Sequence, residues 1–180
     1  MLTMPFTGRE PDPPSRGLRA PGNAPMLRRM NTDVLIAWLH YLAFMVLFAA
    51  LTAEHLLTKK PLTAPELRRV VILDAVAGIS FVLVVVTGVL KLLHYGKGMG
   101  YYMKIGWFHA KLTLVVLVFL VSLYPTFTFM RTRSRAGELP TGETIDLPNG
   151  VRHALRLQLL LVVLIPLFAA AVARGAGQFE

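Results

Sequence analysis

The residues of this sequence best suited to chemistry are histidines, lysines and acids set inside apolar runs. The stretch KIGWFHAKLTLVVL, residues 104–117, places His109 and Lys111 two positions apart at the start of one run. Another histidine, His40, lies within the run VLIAWLHYLAFMVLF. Imidazole nitrogens ligate haem iron and lysine ammonium groups bind carboxylates, so a cofactor site is one interpretation of these residues.

The composition that surrounds these residues is typical of a membrane protein. The chain has 180 residues, of which 54% are hydrophobic and only 16% are charged, and its mean hydropathy is +0.56. A helix needs roughly 20 mainly apolar residues to cross the bilayer core. Four stretches meet this requirement, at about 34–57, 70–93, 105–130 and 154–173. The sequence therefore predicts an all-α integral membrane protein that contacts a lipid bilayer.

The net charge of +9 has a membrane explanation. The basic residues cluster beside the ends of the apolar runs, where lipid headgroups and topology signals require them, and this placement argues against nucleic-acid binding. They divide equally, nine to nine, between the two membrane sides, so the positive-inside rule does not fix the orientation. The absence of cysteine excludes disulfides, thiolate metal sites and cysteine nucleophiles.

The chain divides into a terminal segment and one membrane domain. Residues 1–32 hold six of the twelve prolines and no periodic apolar pattern, which predicts disorder. Residues 33–174 contain the four spans, with a polar and flexible loop predicted at 131–153. Met30 is an alternative start, and the first span is expected to be retained because its apolar core is too long for a signal peptide. Short links predict an up-down-up-down four-helix bundle.

The second span has two distinct faces. At 100° per residue, one half of the helix is wholly apolar, while the other half collects small and polar residues. Small residues let helices approach closely in lipid, so the second half is expected to face the bundle. Asp74 is the one acid on this half. An acid inside a span is expected to have a cationic or hydrogen-bonding partner in the bundle. The alternative is that Asp74 lies near a helix end and pairs with Arg68 or Arg69.

The antiparallel order of the spans sorts the remaining polar residues into two clusters. His40, Lys91 and His109 are expected at one membrane surface, and Glu54 and Asp74 at the other. The first cluster suggests a b-type haem, with imidazoles from two helices on the two faces of the porphyrin. His40 and His109 are the candidate axial and metal ligands, with His94 as a substitute. The candidate contacts to the propionates or to a substrate are Lys91, Lys111, Tyr101 and Tyr102.

One geometric restriction applies to the third span. Residues two positions apart on a helix point about 200° apart, so His109 and Lys111 cannot both face one central ligand. If His109 faces the bundle, Lys111 reaches a neighbouring helix, a propionate or the headgroups. A second haem between His55 and His153 is a further alternative. Near Pro125, the hydroxyl of either Ser122 or Thr126 is expected to cover carbonyls freed by a kink.

These motifs resemble those of a bacterial family of four-span membrane proteins, the domain of unknown function 2214 family. The resemblance covers about 35–133 and rests on LHYLAF, RRVVILDAVAGISFVLVVVTGVLKLLHYGKG, YYMKIGWFHAKL and SLYPTFTFMR. It implies a multi-pass protein of the bacterial inner membrane. A weaker similarity, through His40 and the motif GWFHAKL, is to the HemJ protoporphyrinogen oxidases, and it implies haem b bound by His40 or His109. Two further histidines of the HemJ pattern are not matched here.

Two functional hypotheses follow from these residues. The first is a haem b protein that takes part in membrane redox chemistry with a redox partner or a quinone. The second is a membrane protein without a cofactor, either an accessory subunit or a small transport or proton-handling protein organised on Asp74, Glu54 and Lys91.

Overall fold

The computed structural model describes residues 23–95, 99–136 and 143–174. Within these ranges four helices are long and apolar enough to cross a membrane, over residues 31–57, 64–94, 106–134 and 149–173, which confirms the predicted all-α membrane fold. The elements in chain order are α1 (Asn23–Leu57), β1 (Leu62–Thr63), α2 (Ala64–Leu90), a π-helical turn (Lys91–Tyr95), α3 (Met99–Met103), α4 (Gly106–Ala136), β2 (Thr144–Ile145) and α5 (Asn149–Ala173).

The helices extend beyond the spans predicted from hydropathy. Helix α1 begins at Asn23, so residues 23–32 are helical where the sequence predicted disorder, and residues 1–22 lie outside the described part. Helix α4 continues to Ala136 and α5 begins at Asn149, which leaves only residues 143–148 of the described polar loop outside helices. Helix propagation adds one hydrogen bond per residue once a helix exists, so polar ends can continue a helix past its apolar core.

The helices form an antiparallel ring. Helix α1 packs mainly against α2, α4 packs mainly against α5, and smaller contacts join α2 to α4 and α1 to α5. This arrangement is the predicted up-down-up-down bundle. We call the end that holds Lys91, Lys104 and Lys111 the lysine end, and the end that holds Glu54 and Asp74 the carboxyl end.

Three apolar clusters fill the bundle from one end to the other. The central cluster joins all four long helices through buried residues that include Leu47, Ala77, Val118 and Val162. A second cluster closes the carboxyl end, where Leu62, Leu67, Val70, Phe129, Leu147, Val151 and Leu155 are buried. A smaller cluster at the lysine end contains Ile105, Phe108 and Val172.

Helix α2 confirms the two faces predicted for the second span. The small and polar residues Ala77, Ser80 and Thr87 are buried in the bundle. Apolar residues of the opposite half are exposed on the outer surface, among them Ile79, Val82, Leu83, Val86, Val89 and Leu93. Side chains of this kind are suited to contact with lipid tails, and the small inner face lets α1 approach.

A polar clasp closes the carboxyl end. Strands β1 and β2 pair antiparallel, with Leu62 opposite Ile145 and Thr63 opposite Thr144. Arg152 Nε donates a 2.8 Å hydrogen bond to the carbonyl oxygen of the buried Thr58, just beyond the end of α1. A second Arg152 nitrogen lies 2.8 Å from the carboxylate of Asp146. The loop predicted to be flexible therefore contributes a strand and an ion pair that hold α1 and α5 together.

Candidate functional site

Two polar clusters lie inside the bundle, and the one at the lysine end is built around His40. This half-buried side chain of α1 has its Nδ1 atom 2.8 Å from the hydroxyl oxygen of Thr87 on α2. The Thr87 hydroxyl also lies 2.6 Å from the carbonyl oxygen of Leu83, to which it donates its hydrogen. A hydroxyl has a single hydrogen, so His40 must be the donor to Thr87 through Nδ1–H. This assignment leaves Nε2 of the neutral ring as an acceptor.

Gly88 lies against the imidazole of His40. A Cβ atom at this position would lie 3.4 Å from Cε1 of His40 and 3.9 Å from its Nδ1, which is ordinary van der Waals contact. The ring therefore packs directly against the surface of α2, and the neighbouring Thr87 supplies the hydrogen-bond acceptor. Together Thr87 and Gly88 hold His40 within the α1–α2 interface.

Two lysines approach the same histidine from different helices. Lys91 lies one turn after Thr87 on the same face of α2, and its Nζ atom lies 5.2 Å from the centre of the Tyr41 ring. Lys111 comes from α4 and is half-buried. Both ammonium groups lie within electrostatic range of His40, and they also lie within range of each other. The structure therefore brings His40, Lys91 and Lys111 close to one another, as expected from the sequence.

His109 does not belong to this cluster. Its side chain is exposed, and its Nδ1 atom lies 3.3 Å from the carbonyl oxygen of Ile105, the residue just before α4. Because Lys111 points towards His40, a residue two positions earlier on α4 points to the opposite side of that helix. The sequence left open which of the two faces the bundle, and the structure places Lys111 inside and His109 outside.

Of the two tyrosines proposed as propionate or substrate contacts, Tyr102 belongs to the small apolar cluster at the lysine end. The ring of Tyr102 packs against Phe108, with 5.5 Å between the ring centres. Helix α3 includes Tyr101, but the side chain of this residue lies outside the described part of the structure. His94, the substitute ligand, is exposed at the end of the π-helical turn.

This geometry does not fit a haem held between His40 and His109. Axial ligands on two helices must converge on one iron atom, whereas His40 is half-buried between α1 and α2 and His109 is exposed. Among the described residues, no group of three histidine, aspartate or glutamate side chains is arranged to hold a metal ion either. Haem b and a redox partner or quinone therefore stay predictions made from the sequence, without support from the arrangement of the side chains.

The second cluster lies nearer the carboxyl end and is organised on Glu54 and Asp74. Glu54 on α1 is 0% exposed, and neither of its carboxyl oxygens makes a hydrogen bond within the described part of the chain. Asp74 on α2 is half-buried and lies close enough to Glu54 for an electrostatic interaction. Lys91 lies at the other end of the bundle, so the three residues of the proton-handling hypothesis do not form one site.

Helices α4 and α5 complete the carboxyl cluster. The Thr126 hydroxyl donates a 2.8 Å hydrogen bond to Oδ1 of Asp74, so it does not cover a carbonyl near Pro125 as expected. Gln158 on α5 is 4% exposed, and its Oε1 atom accepts no hydrogen bond from the described residues. Ser122 donates to the carbonyl oxygen of Phe119, whereas the carbonyl that Pro125 leaves without its helical donor is that of Val121.

A small cavity lies between these polar groups. It has a volume of about 40 Å³, and its polar lining comes from Asp74, Ser122, Thr126 and Gln158. A buried water needs about 10–15 Å³ of such volume and two to four polar partners, so the cavity has room and partners for water. Each of the four long helices thus contributes a polar residue to one region of the bundle, with Glu54 from α1.

Sequence reasoning missed Gln158 and the role of Thr126. Gln158 could have been found from the sequence, because it is a single amide in the apolar run LRLQLLLVVL. A polar side chain within a span, like an acid there, indicates a candidate functional site. Pairing Thr126 with Asp74 needed the packing of α2 against α4. The structure gives no support to the alternative of a second haem between His55 and His153. His153 is exposed, and His55 lies near Lys59 and Arg156.

The family comparison agrees with the fold. No curated protein and no solved structure matches the chain, so the weaker similarity to HemJ has no support from known proteins. The family described as "Predicted membrane protein (DUF2214)" matches residues 32–177, which include all four long helices of the bundle. The chain is thus a multi-pass membrane protein and belongs to this DUF2214 family.

Proposed function

We propose that this protein handles protons in the membrane through the carboxyl groups of Glu54 and Asp74. The observation that carries the proposal is the Glu54 side chain, which is fully buried beside a second acid and has no hydrogen-bond partner among the described residues. Ionisable groups inside spans are costly and are characteristic of ion pathways and proton relays. The bacterial cytoplasmic membrane, which the family resemblance implies as the location, holds the proton gradient such a protein would use.

Elementary electrostatics favours a shared proton at this pair. Two neighbouring carboxyl groups in a medium of low dielectric cannot both be ionised at low cost. One proton on the pair removes the repulsion and leaves a single negative charge. The Thr126 hydroxyl already donates to Asp74, so Asp74 is the better place for that charge and Glu54 is the better place for the proton.

The cavity offers an exchange route for that proton. Water in the space between Asp74, Thr126 and Gln158 would find an acceptor in Oε1 of Gln158, which is otherwise unpaired within the described chain. A proton also needs no shell of several ligands, whereas the described residues provide only two carboxyl groups here. The cluster therefore suits a proton better than a divalent cation.

Proton flux into liposomes tests the proposal directly. Purified protein is reconstituted into vesicles that contain a pH-sensitive dye, and an imposed membrane potential drives proton entry. We expect the wild type to carry flux, and Glu54→Gln and Asp74→Asn to abolish it while preserving size and polarity. Glu143→Gln is the matched control, because it removes an acid that is exposed outside the helices.

Two outcomes would overturn the proposal. One is a wild-type flux equal to that of protein-free vesicles, which would favour an accessory subunit without proton transport. The other is a flux that both Glu54→Gln and Asp74→Asn leave unchanged. Infrared spectroscopy adds an independent measurement, since the carbonyl stretch of a protonated carboxyl group should be present in the wild type and lost in Glu54→Gln.

A further inference from the structure

The lysine end concentrates positive charge inside the membrane domain. Lys91 begins the π-helical turn that follows α2, and Lys111 comes from α4; the two lie within electrostatic range of each other and are both half-buried. Two ammonium groups repel each other more strongly as water is excluded around them. An anion between or beside the two charges would offset this repulsion.

The described part of the chain does not supply that anion. Its only ion pair joins Arg152 to Asp146 at the opposite end of the bundle. Of its six acidic residues, Asp33 alone lies at the lysine end. Asp33 precedes His40 by seven residues on α1, which places it about 10 Å further along the helix axis.

Neighbouring groups hold the lysines where a ligand could reach them. Lys91 lies over the ring of Tyr41, which is 62% exposed on the outer surface of the bundle. His40 is fixed by its hydrogen bond to Thr87, one turn before Lys91. The positive region therefore extends from Lys111 inside the bundle to Lys91 at the edge of the α1–α2 surface.

Exposed aromatic residues mark the depth of this region in the membrane. Trp38, Tyr41 and Trp107 are exposed on α1 and α4 close to the lysine end. Tryptophan and tyrosine are enriched at the level of lipid headgroups, where one edge of the ring is apolar and the other is hydrated. Lys91 lies over the Tyr41 ring, so we expect it at a similar depth to these aromatic residues.

From this arrangement we infer that Lys91 and Lys111 form a binding site for a phosphate group, supplied by the headgroup of an anionic phospholipid. The two ammonium groups donate hydrogen bonds to the phosphate oxygens, and the acyl chains lie along the apolar outer surface of α1 and α2. Basic pockets between membrane helices are suited to anionic headgroups because each lysine near the surface contributes about 1 kcal/mol to binding of acidic lipid. Inorganic phosphate offers the same chemistry without the acyl chains.

The test measures retained lipid on the full-length protein. Wild type and variants are purified in a neutral detergent, supplied with phosphatidylglycerol or phosphatidylcholine, and examined by native mass spectrometry. We expect phosphatidylglycerol to remain on the wild type, and Lys91→Gln and Lys111→Gln each to weaken its binding about fivefold. Lys104→Gln is the matched control, because it removes one exposed charge at the same end of the bundle.

Further variants and a competitor complete the experiment. Lys111→Arg keeps the charge and should retain the lipid, which separates loss of charge from misfolding. Excess inorganic phosphate that displaces the lipid would show that phosphate alone is the ligand, whereas retention would show that the acyl chains contribute. Equal lipid binding by the wild type and both glutamine variants would overturn the inference. An equal loss of lipid binding in Lys104→Gln would also overturn the inference, because it would show that the lipid responds to the overall surface charge and not to a specific site.

Discussion

The Nδ1 atom of His40 lies 2.8 Å from the Thr87 hydroxyl, and this hydrogen bond links α1 to α2 at the lysine end of the bundle. The Thr87 hydrogen is already directed at the carbonyl oxygen of Leu83. The imidazole therefore has the Nδ1–H tautomer. Nitrogen-15 spectra of histidine-labelled protein at high pH should contain a signal of this tautomer that is lost in His40→Gln. An Nε2–H tautomer at His40 would contradict this assignment, because the Thr87 hydroxyl would then have to donate to Nδ1.

Thr87→Val should destabilise the bundle. The change keeps the shape of the side chain but removes the hydroxyl that accepts from Nδ1–H of the half-buried His40, at a cost of about 1 kcal/mol in the free energy of unfolding. Thr87→Ser keeps the hydroxyl and should cost less. Unfolding in mixed detergent micelles measures both variants, and equal stability of the wild type and Thr87→Val would show that the hydrogen bond contributes nothing.

Glu54→Met should stabilise the protein. The wild-type carboxyl group is 0% exposed and makes no hydrogen bond within the described chain, so an apolar side chain of similar volume removes a desolvation cost of about 1–3 kcal/mol. The same substitution at the exposed Glu143 should have little effect. A destabilised Glu54→Met variant would indicate that the carboxyl group has a partner that supports the fold. A variant that is more stable but carries no proton flux would show that the carboxyl group is needed for function although it destabilises the fold.

Arg152→Ala should cost more than Asp146→Asn. The ion pair between these residues involves a carboxylate side chain that is 72% exposed, and such pairs contribute at most about 1 kcal/mol. Removing Arg152 also leaves the carbonyl oxygen of the buried Thr58 without its donor, at a cost of about 1–3 kcal/mol. Thermal unfolding in detergent compares the two variants. Equal losses would assign the effect to the ion pair alone.

His109→Ala should leave any haem spectrum unchanged. The His109 side chain is exposed on the side of α4 away from His40, so it cannot complete an axial pair with that residue. The measurement is the reduced-minus-oxidised absorption spectrum of protein expressed with haem precursor. A bis-histidine spectrum that disappears in both His40→Ala and His109→Ala would restore the haem hypothesis and require a rearranged α4.

The sequence was most informative where a helix has unequal faces. Helix α2 alternates a small polar half with an apolar half, so its buried Thr87 and exposed Val86 were predictable. Antiparallel topology also separated Lys91 from Asp74 correctly. Helix α4 is apolar on every side, so periodicity did not show whether His109 or Lys111 faces inward. The two-residue strands β1 and β2 lack a sequence signal, because their pairing joins segments far apart in the chain.

The pairing of β1 with β2 sets an order for assembly during synthesis. Strand β1 precedes α2, while its partner follows α4, and Arg152 lies later still in α5. A growing chain leaves the ribosome amino-terminus first, so α1 and α2 can insert as a hairpin long before the later clasp residues Thr144, Ile145 and Arg152 exist. Until α5 is made, the space around Glu54 stays open at the carboxyl end. The complete clasp can therefore close only after the start of α5 has been made, and truncation before Asn149 should yield inserted helices that remain accessible to protease at that end.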